Sequence, residues 1–224
     1  MHLSRQNVAP DGSCLFTSID LLLNNGALRV NVSEELRSHC ATTILSSPST
    51  YTEVYLGKTP EEYIKFIRSP HEYGGEIEIV ILAQKFNVAI SVVSLTTPPT
   101  VLTYGAAAAG ENDEQERIFV LYNGQHYDAL VQNLGEEGEP RRYIFSLAPE
   151  FDEAALVLAY DEKLKRDVIL RTRQRKKLRC KCGAVVDDTA AFQTHCETVE
   201  HDDDFGYECE EILIKEMVED PNAD

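Results

Sequence analysis

Two kinds of hydrophobic pattern follow one another along this chain, and their order limits the folds it can adopt. Up to residue 86, apolar residues recur at helical spacing, as in "CLFTSIDLLLNNG" and "GEIEIVILAQKFN". The next segments, "VAISVVSL" and "RIFVLYNGQHYDAL", have strand patterns, and the Asn-Gly pair predicts a hairpin turn. Helices followed by strands indicate an α+β fold, with helices packed around a small β-sheet.

Other segments complete this outline. "SEELRSHCATTIL", with Ser33 as its N-cap, and "TPEEYIKFIRS", with an early proline, predict two further helices. "PPTVLTYGAAAAGENDEQ" is rich in proline, glycine and polar residues and predicts an exposed connection with one short strand. After Pro149, the sequence is again typical of a helix as far as "RQRKK".

The charge of the chain argues against one class of partner. The formal net charge is −17, and ten of the 21 basic residues lie within residues 163–181. This balance argues against a nucleic-acid binder driven by phosphate contacts and suits a basic protein partner, and a solvated acidic surface is an equally good alternative.

No apolar run is long enough to cross a bilayer, and the first seven residues are too polar for a signal peptide. We therefore expect a cytoplasmic protein, with the nucleus as a second compartment, and no membrane partner.

One cysteine lies where catalysis would place it. In "PDGSCLF", Gly12 permits a tight turn, Ser13 can cap the helix that follows, and Cys14 falls in its first turn. Backbone N–H groups and the helix dipole favour a thiolate there, so a depressed thiol pKa is expected. The alternative is a small buried residue that only packs.

A nucleophilic cysteine needs a base, and "GQHYD" offers one. Residues two apart in a strand point to the same side, so His126 and Asp128 should project together while Tyr127 faces the opposite way into packing. Asp128 could then orient the imidazole of His126. A histidine on a strand is more often structural when it stands alone, and it is the combination with Cys14 that favours catalysis.

The two motifs, "PDGSCLF" and "LYNGQHYDAL", resemble the cysteine and histidine motifs of the ovarian-tumour (OTU) family of cysteine deubiquitinases. The segment between them, above all "LGKTPEEY" and "GGEIEI", is similar to the ubiquitin thioesterase subfamily that carries a C-terminal zinc finger. The resemblance runs from about Asn7 to Phe205 and implies the OTU fold.

The resemblance also implies roles for individual residues. Cys14 would be the nucleophile and His126 the general base and later acid, while Asp11 and Asp128 both match acidic motif positions. Which of the two acids matters more stays open, although spacing favours Asp128 as the partner of His126. The substrate would lie beside Gln125 and the N–H groups of the loop containing Gly12 and Ser13, which would form the oxyanion hole.

The implied reaction is hydrolysis of isopeptide and thioester bonds at the C-terminus of ubiquitin, with ubiquitin and polyubiquitin chains as partners and no cofactor for catalysis. Related proteins act in protein quality control and endoplasmic-reticulum-associated degradation, and they dock on the valosin-containing AAA ATPase through an N-terminal ubiquitin-like domain. The printed sequence begins almost at the cysteine motif, so direct binding to this ATPase is not expected. Two rival hypotheses are a non-catalytic ubiquitin-binding adaptor and a nucleic-acid-binding finger.

A second group of residues indicates a metal site. Four of the six cysteines lie in the last 45 residues, and clustered cysteines in a reducing compartment more often bind metal than form disulfides. Cys180, Cys182, His195 and His201 have the order of a Cys2His2 zinc finger, with a short strand and a helix expected between the pairs.

The finger departs from its usual pattern, because C-x-C is one residue shorter than the C-x2-C of related proteins. Cys196 or Cys209 could therefore replace one ligand, and the alternative is a relict finger packed on Phe192 and Phe205. Together these features predict four regions: a catalytic domain over 1–149, a basic helical linker over 150–179, a zinc finger over 180–205 and an acidic tail over 206–224.

Overall fold

The structure, a computed structural model, describes residues 2–105, 115–135, 140–173, 176–199 and 209–213. It divides into two compact units, Met1–Glu162 and Lys163–Asp224. The division falls inside a helix, Pro149–Arg173, so residues 149–162 belong to the first unit.

The first unit is built on a mixed sheet. Its strands are β1 (Leu3–Gln6), β2 (Ala89–Ser94), β3 (Thr100–Tyr104), β4 (Glu116–Tyr122), β5 (Tyr127–Asn133), β6 (Arg141–Arg142) and β7 (Phe145–Ser146). The order is β1-β5-β4-β2-β3, with β6 on β5 and β7 on β4. Strands β2 and β4 are parallel, and the β4–β5 hairpin is antiparallel, as the Asn-Gly pair predicts.

Six helices accompany this sheet: α1 (Cys14–Leu23), α2 (Val32–Ser46), α3 (Glu53–Leu56), α4 (Pro60–Arg68), α5 (Glu76–Phe86) and α6 (Pro149–Arg173). Local sequence explains where α4 begins. Pro60 occupies its first turn, and Thr59 and Glu62 form a capping box in which each side chain accepts from the other residue's backbone N–H.

The two faces of the sheet bury two separate clusters of side chains. Along β4, Ile118 and Val120 pack with apolar side chains of α1–α5, whereas Phe119 and Leu121 pack with Phe151 and other residues of α6. Strand side chains alternate in direction, so one strand contributes to both clusters. The predicted α+β class is confirmed.

The second unit contains β8 (Lys176–Cys180), β9 (Val185–Val186), α7 (Thr189–Thr198) and β10 (Cys209–Leu213). The strands form a sheet in the order β10-β8-β9. Asp188 caps α7 by accepting a hydrogen bond of 2.8 Å from the N–H of Ala191. The short strand and helix predicted between the metal-binding pairs are thus present.

Within the described residues, no helix is both long and apolar enough to cross a bilayer.

Three details differ from the sequence-based expectations. The N-cap of α2 is Asn31, and Ser33 lies inside the first turn. Lys176 and Lys177, expected to continue a helix, lie in β8. Strand β1 has only four residues, too few to show a period in the sequence, and it forms because β5 offers it a pairing edge.

Candidate active site

The turn before α1 presents Cys14. The carboxylate of Asp11 accepts a hydrogen bond of 2.8 Å from the N–H of Ser13, and the carbonyl of Asp11 accepts one of 3.3 Å from the N–H of Cys14. Asp11 itself is exposed. Ser13 occupies the N-cap of α1 without capping it through its side chain, which instead accepts from the hydroxyl of Ser33 at 2.7 Å. Asp11 therefore shapes the turn that carries the cysteine.

Gly12 is needed in this turn because another segment comes very close. A Cβ atom at Gly12 would lie 2.6 Å from the carbonyl oxygen of Pro70. The buried guanidinium of Arg37 joins the two segments, since its Nη2 donates to the carbonyl oxygens of Gly12 and Glu72, each at 2.6 Å. The backbone before Cys14 is thus fixed from outside the turn.

Sequence reasoning missed Arg37, although a signal was present. It lies three, four and seven residues before Cys40, Ala41 and Ile44, on the buried stripe of α2. A charged residue on such a stripe is expected to have specific polar partners.

The histidine lies at the end of the β4–β5 hairpin. The side-chain oxygen of Asn123 accepts hydrogen bonds from the N–H groups of Gln125 at 3.0 Å and His126 at 2.9 Å, which orders the turn. Nε2 of His126 lies 3.0 Å from Oδ1 of Asp128. These two side chains project together, as the spacing predicts, while Tyr127 is buried among the apolar residues of the α1–α5 cluster.

Folding brings the two motifs together through the peptide of Tyr127. Its N–H donates to Sγ of Cys14 at 3.5 Å, and its carbonyl oxygen accepts from the hydroxyl of Ser18 at 3.3 Å. Cys14 and Tyr127 are 113 positions apart in the chain. The sulfur therefore contacts the residue directly between His126 and Asp128.

The environment of Cys14 overturns one expectation. Burial raises the pKa of the Cys14 thiol above its ordinary value, and the carboxylates of Asp11 and Asp128 raise it further, while the N–H groups of Tyr127 and Leu15 lower it. The depressed pKa predicted from the helix start is wrong, because the side chain is only 1% exposed and burial disfavours the thiolate. A thiol with a raised pKa needs a base to remove its proton during attack.

These motifs lie within a match to a family model. The model described as OTU-like cysteine protease matches residues 9–129, from the turn before Cys14 to the residue after Asp128. The chain belongs to this family.

Two curated relatives of this OTU chain carry the name ubiquitin thioesterase OTU1. The protein from Gallus gallus is 34% identical over 165 residues, 73% of this chain and 53% of the relative. The protein from Rattus norvegicus is 33% identical over 202 residues, 89% of this chain and 57% of the relative. The chain thus spans a little over half the length of these curated relatives.

Among solved structures, an ovarian tumour (OTU) domain determined in complex with ubiquitin is 29% identical to this chain. It superposes with a TM-score of 0.60 and covers 73% of this chain and 88% of that chain. The OTU fold expected from the sequence is confirmed.

The residues expected beside the substrate are sequence neighbours of the cysteine and the histidine. Gln125 is exposed at the tip of the hairpin, and Gly12 and Ser13 precede Cys14. The N–H groups of Ser13 and Cys14 are hydrogen-bonded to Asp11 in this structure. Their use as an oxyanion hole stays a prediction.

The second unit of this OTU protein brings three of the four predicted metal ligands together. The ligand atoms of Cys180, Cys182 and His195 all lie within 4.8 Å of one another, and Sγ of Cys182 is 3.2 Å from Nε2 of His195. His201 lies outside the described residues. Cys209 is the direct partner of Cys180 in the β8–β10 ladder.

This donor set suits zinc, because two thiolates and one imidazole are soft and borderline ligands. The C-x-C spacing is accommodated by a turn in which the N–H of Gly183 donates to the carbonyl of Cys180 at 2.8 Å. Gly183 has a φ of +94°, a conformation that favours glycine.

Proposed function

We propose that this protein is a cysteine deubiquitinase that hydrolyses isopeptide and thioester bonds at the C-terminus of ubiquitin. The observation that supports this proposal most strongly is the contact between Cys14 and the N–H of Tyr127, the residue between His126 and Asp128. This contact lies within the segment that matches OTU-like cysteine proteases. The names of the relatives and the ubiquitin complex of a 29% identical domain support the choice of substrate.

The reaction begins with a neutral thiol. His126 accepts the proton of Cys14 as the sulfur attacks the carbonyl carbon of ubiquitin's last glycine, and Asp128 stabilises the imidazolium that forms. His126 then gives this proton to the departing lysine amine. A thioester remains on Cys14, and water resolves it with His126 again acting as base. Cysteine, histidine and carboxylate suffice for these steps without a cofactor.

Two features of the fold hold the sulfur of Cys14 in place. The N–H of Tyr127 donates to it, and Cys14 begins α1. The raised pKa favours the protonated thiol over the thiolate. A resting thiol is less easily oxidised than a thiolate, so this arrangement also protects the nucleophile.

Labelling with ubiquitin that carries a C-terminal electrophile tests this function. We expect one covalent adduct on Cys14 and none in Cys14→Ala, while a gel assay with all eight diubiquitin linkages should show cleavage by the wild type alone. Labelling that survives Cys14→Ala would show that another cysteine reacts. Labelling without any turnover would support the non-catalytic adaptor instead.

A structural zinc site in the second unit is a further part of the proposal. Cys180, Cys182 and His195 would hold the ion, with His201, Cys209 or Cys196 as the fourth ligand. Zinc in such a closed site would stabilise the small β8–β9–α7 unit rather than take part in catalysis.

Metal analysis of the purified chain tests the zinc site. We expect about one zinc per chain and a loss of zinc in Cys182→Ala. The variants His201→Ala, Cys209→Ala and Cys196→Ala identify the fourth ligand, because only the variant that removes it should lose part of the zinc. Chelation should unfold the second unit while labelling of Cys14 continues. A zinc-free chain with an unchanged second unit would favour a relict finger.

We further propose ubiquitin and polyubiquitin chains as the partners and the cytoplasm, with the nucleus, as the compartment. Cys14 and Cys40 are free thiols, which suits a reducing compartment. The net charge of −17 suits the basic tail of ubiquitin. Fractionation of cells that express the tagged protein would test the compartment, and a pull-down of ubiquitin and polyubiquitin chains by Cys14→Ala would test the partners.

A further inference from the structure

Asp128 makes more contacts than the orientation of His126 requires. Its Oδ1 lies 3.0 Å from Nε2 of His126 and accepts from the N–H of Val8 at 2.8 Å. Its Oδ2 accepts from Nε of Arg5 at 2.9 Å and lies 2.8 Å from Nη2 of the same guanidinium. One oxygen therefore serves the histidine and the other is held by Arg5.

The register of β1 on β5 sets this contact. Arg5 lies directly opposite Leu130, two residues from Asp128, so Arg5 and Asp128 project from the same face of the sheet. A slip of one residue would turn Arg5 to the other face and remove the contact.

Arg5 is itself held from a helix. Its Nη1 donates to Oε2 of Glu162, near the middle of α6, at 3.1 Å. The side chains of Asp128 and Glu162 are 3% and 17% exposed, and that of Arg5 is 34% exposed. The guanidinium thus lies between two largely buried carboxylates.

We propose that Arg5 is a positioning residue for catalysis, and that Glu162 holds Arg5 in place for this role. The inference rests on the proposed function, because it concerns the histidine of that reaction. A carboxylate bound through both oxygens cannot rotate away from the imidazole, and a planar guanidinium with two donors on Oδ2 fixes it better than a single ammonium could. Small displacements of a catalytic base have large effects on rate.

The same chain contains a matched control. Arg29 donates through Nε to Oδ1 of the buried Asp20 at 2.6 Å and through Nη1 to Oε2 of Glu35 at 3.2 Å. This arrangement repeats that of Arg5, Asp128 and Glu162. The Asp20 carboxylate accepts hydrogen bonds from Asn24 and Arg29, whereas that of Asp128 also contacts a histidine.

The experiment compares Arg5→Met with Arg29→Met by steady-state hydrolysis of a fluorogenic ubiquitin C-terminal amide and by thermal unfolding. Arg5→Met should lower kcat about 10- to 100-fold and leave KM within about twofold. Arg29→Met should leave kcat within about twofold, with a similar loss of thermal stability. Equal kcat values in the two variants, or a change confined to KM, would overturn the proposal.

Two further variants separate positioning from folding. Arg5→Lys should recover only part of the activity, and millimolar ethylguanidinium should raise kcat of Arg5→Ala several-fold without affecting wild type or Arg29→Ala. Glu162→Gln should lower kcat about two- to fivefold and have no added effect in the Arg5→Met background, because Glu162 acts through Arg5. Full additivity would remove Glu162 from the proposal.

A spectroscopic readout distinguishes failure of this proposal from failure of the proposed function. The hydrogen-bonded imidazole N–H of His126 should give a downfield proton resonance in wild type that disappears in Arg5→Met and persists in Arg29→Met. If wild type hydrolyses no ubiquitin substrate, the proposed function fails, and the resonance still decides whether Arg5 holds Asp128 against His126. A resonance unchanged in Arg5→Met would refute the positioning role.

Discussion

The two units of this protein each bring cysteine and histidine together, in opposite surroundings. In the first unit, the thiol of Cys14 is 1% exposed and contacts the residue that follows His126, whose ring is held by a carboxylate. In the second, the exposed Cys182 lies 3.2 Å from His195, and the third member is another thiol, Cys180.

The third member decides the chemistry of each group. A carboxylate orients an imidazole and stabilises it when protonated, which suits a histidine that moves a proton. A second thiol adds a soft donor, which suits a metal ion. A cysteine near a histidine therefore does not by itself distinguish a catalytic site from a metal site. The third residue beside the histidine does.

The largest expected effect comes from replacing one cysteine of each unit and comparing the two variants. Cys14→Ala should lower turnover of ubiquitin substrates by at least about 10³-fold, since no other group replaces the nucleophile. Cys182→Ala should remove bound metal and keep labelling of Cys14. Turnover and metal content measured on both variants check the separation, which fails if either variant loses both properties.

The next effect concerns the carboxylates. Asp128→Asn should lower kcat by about 10²- to 10⁴-fold, because the amide cannot stabilise the imidazolium and favours the wrong tautomer. Asp11→Asn, which keeps an acceptor for the N–H of Ser13, should lower kcat about tenfold or less. Steady-state kinetics of the pair answers which acid matters more, and a larger loss in Asp11→Asn would reverse our assignment.

Gly12 and Gly183 cannot be replaced by alanine for different reasons, a steric clash at Gly12 and an unfavourable backbone conformation at Gly183. Gly12→Ala would place a Cβ 2.6 Å from the carbonyl oxygen of Pro70, so the turn must shift and kcat should fall about 100-fold. Gly183→Ala should instead cost the second unit about 1–2 kcal/mol, because of its φ of +94°.

Gly75→Ala provides the control, since a Cβ there meets nothing within 4 Å. Kinetics, metal affinity and thermal unfolding distinguish the three variants. An active Gly12→Ala would mean that the turn tolerates displacement.

The smallest effect is on the pH dependence of alkylation. A raised pKa leaves less thiolate on Cys14 at neutral pH, so its rate of reaction with iodoacetamide should still be rising above about pH 8.5, the ordinary value for cysteine. Mass spectrometry of the Cys14 peptide gives this profile. Asp128→Asn should move it to lower pH, because one of the charges that raise the pKa is removed.

A plateau at neutral pH in the wild type would show that the thiolate is already formed at rest.

Much of the fold and part of the site could be read from local patterns. The helix at Cys14, the Asn-Gly hairpin and the shared direction of His126 and Asp128 depend on residues close in sequence, and the structure contains all three. Strand β1 could not be predicted in this way, because four residues show no period and their partner strand lies more than 120 positions away. Arg5 was missed with it.

The sequence by itself determined which side chains were available, a cysteine after a tight turn and a histidine two residues before an acid, since turn, helix and strand geometry are local. Only the tertiary structure decided their surroundings. Pairing of β1 with β5 placed Arg5 on Asp128, and packing around α1 buried Cys14 and raised its pKa. Burial and long-range register depend on contacts between distant segments, which no local pattern contains.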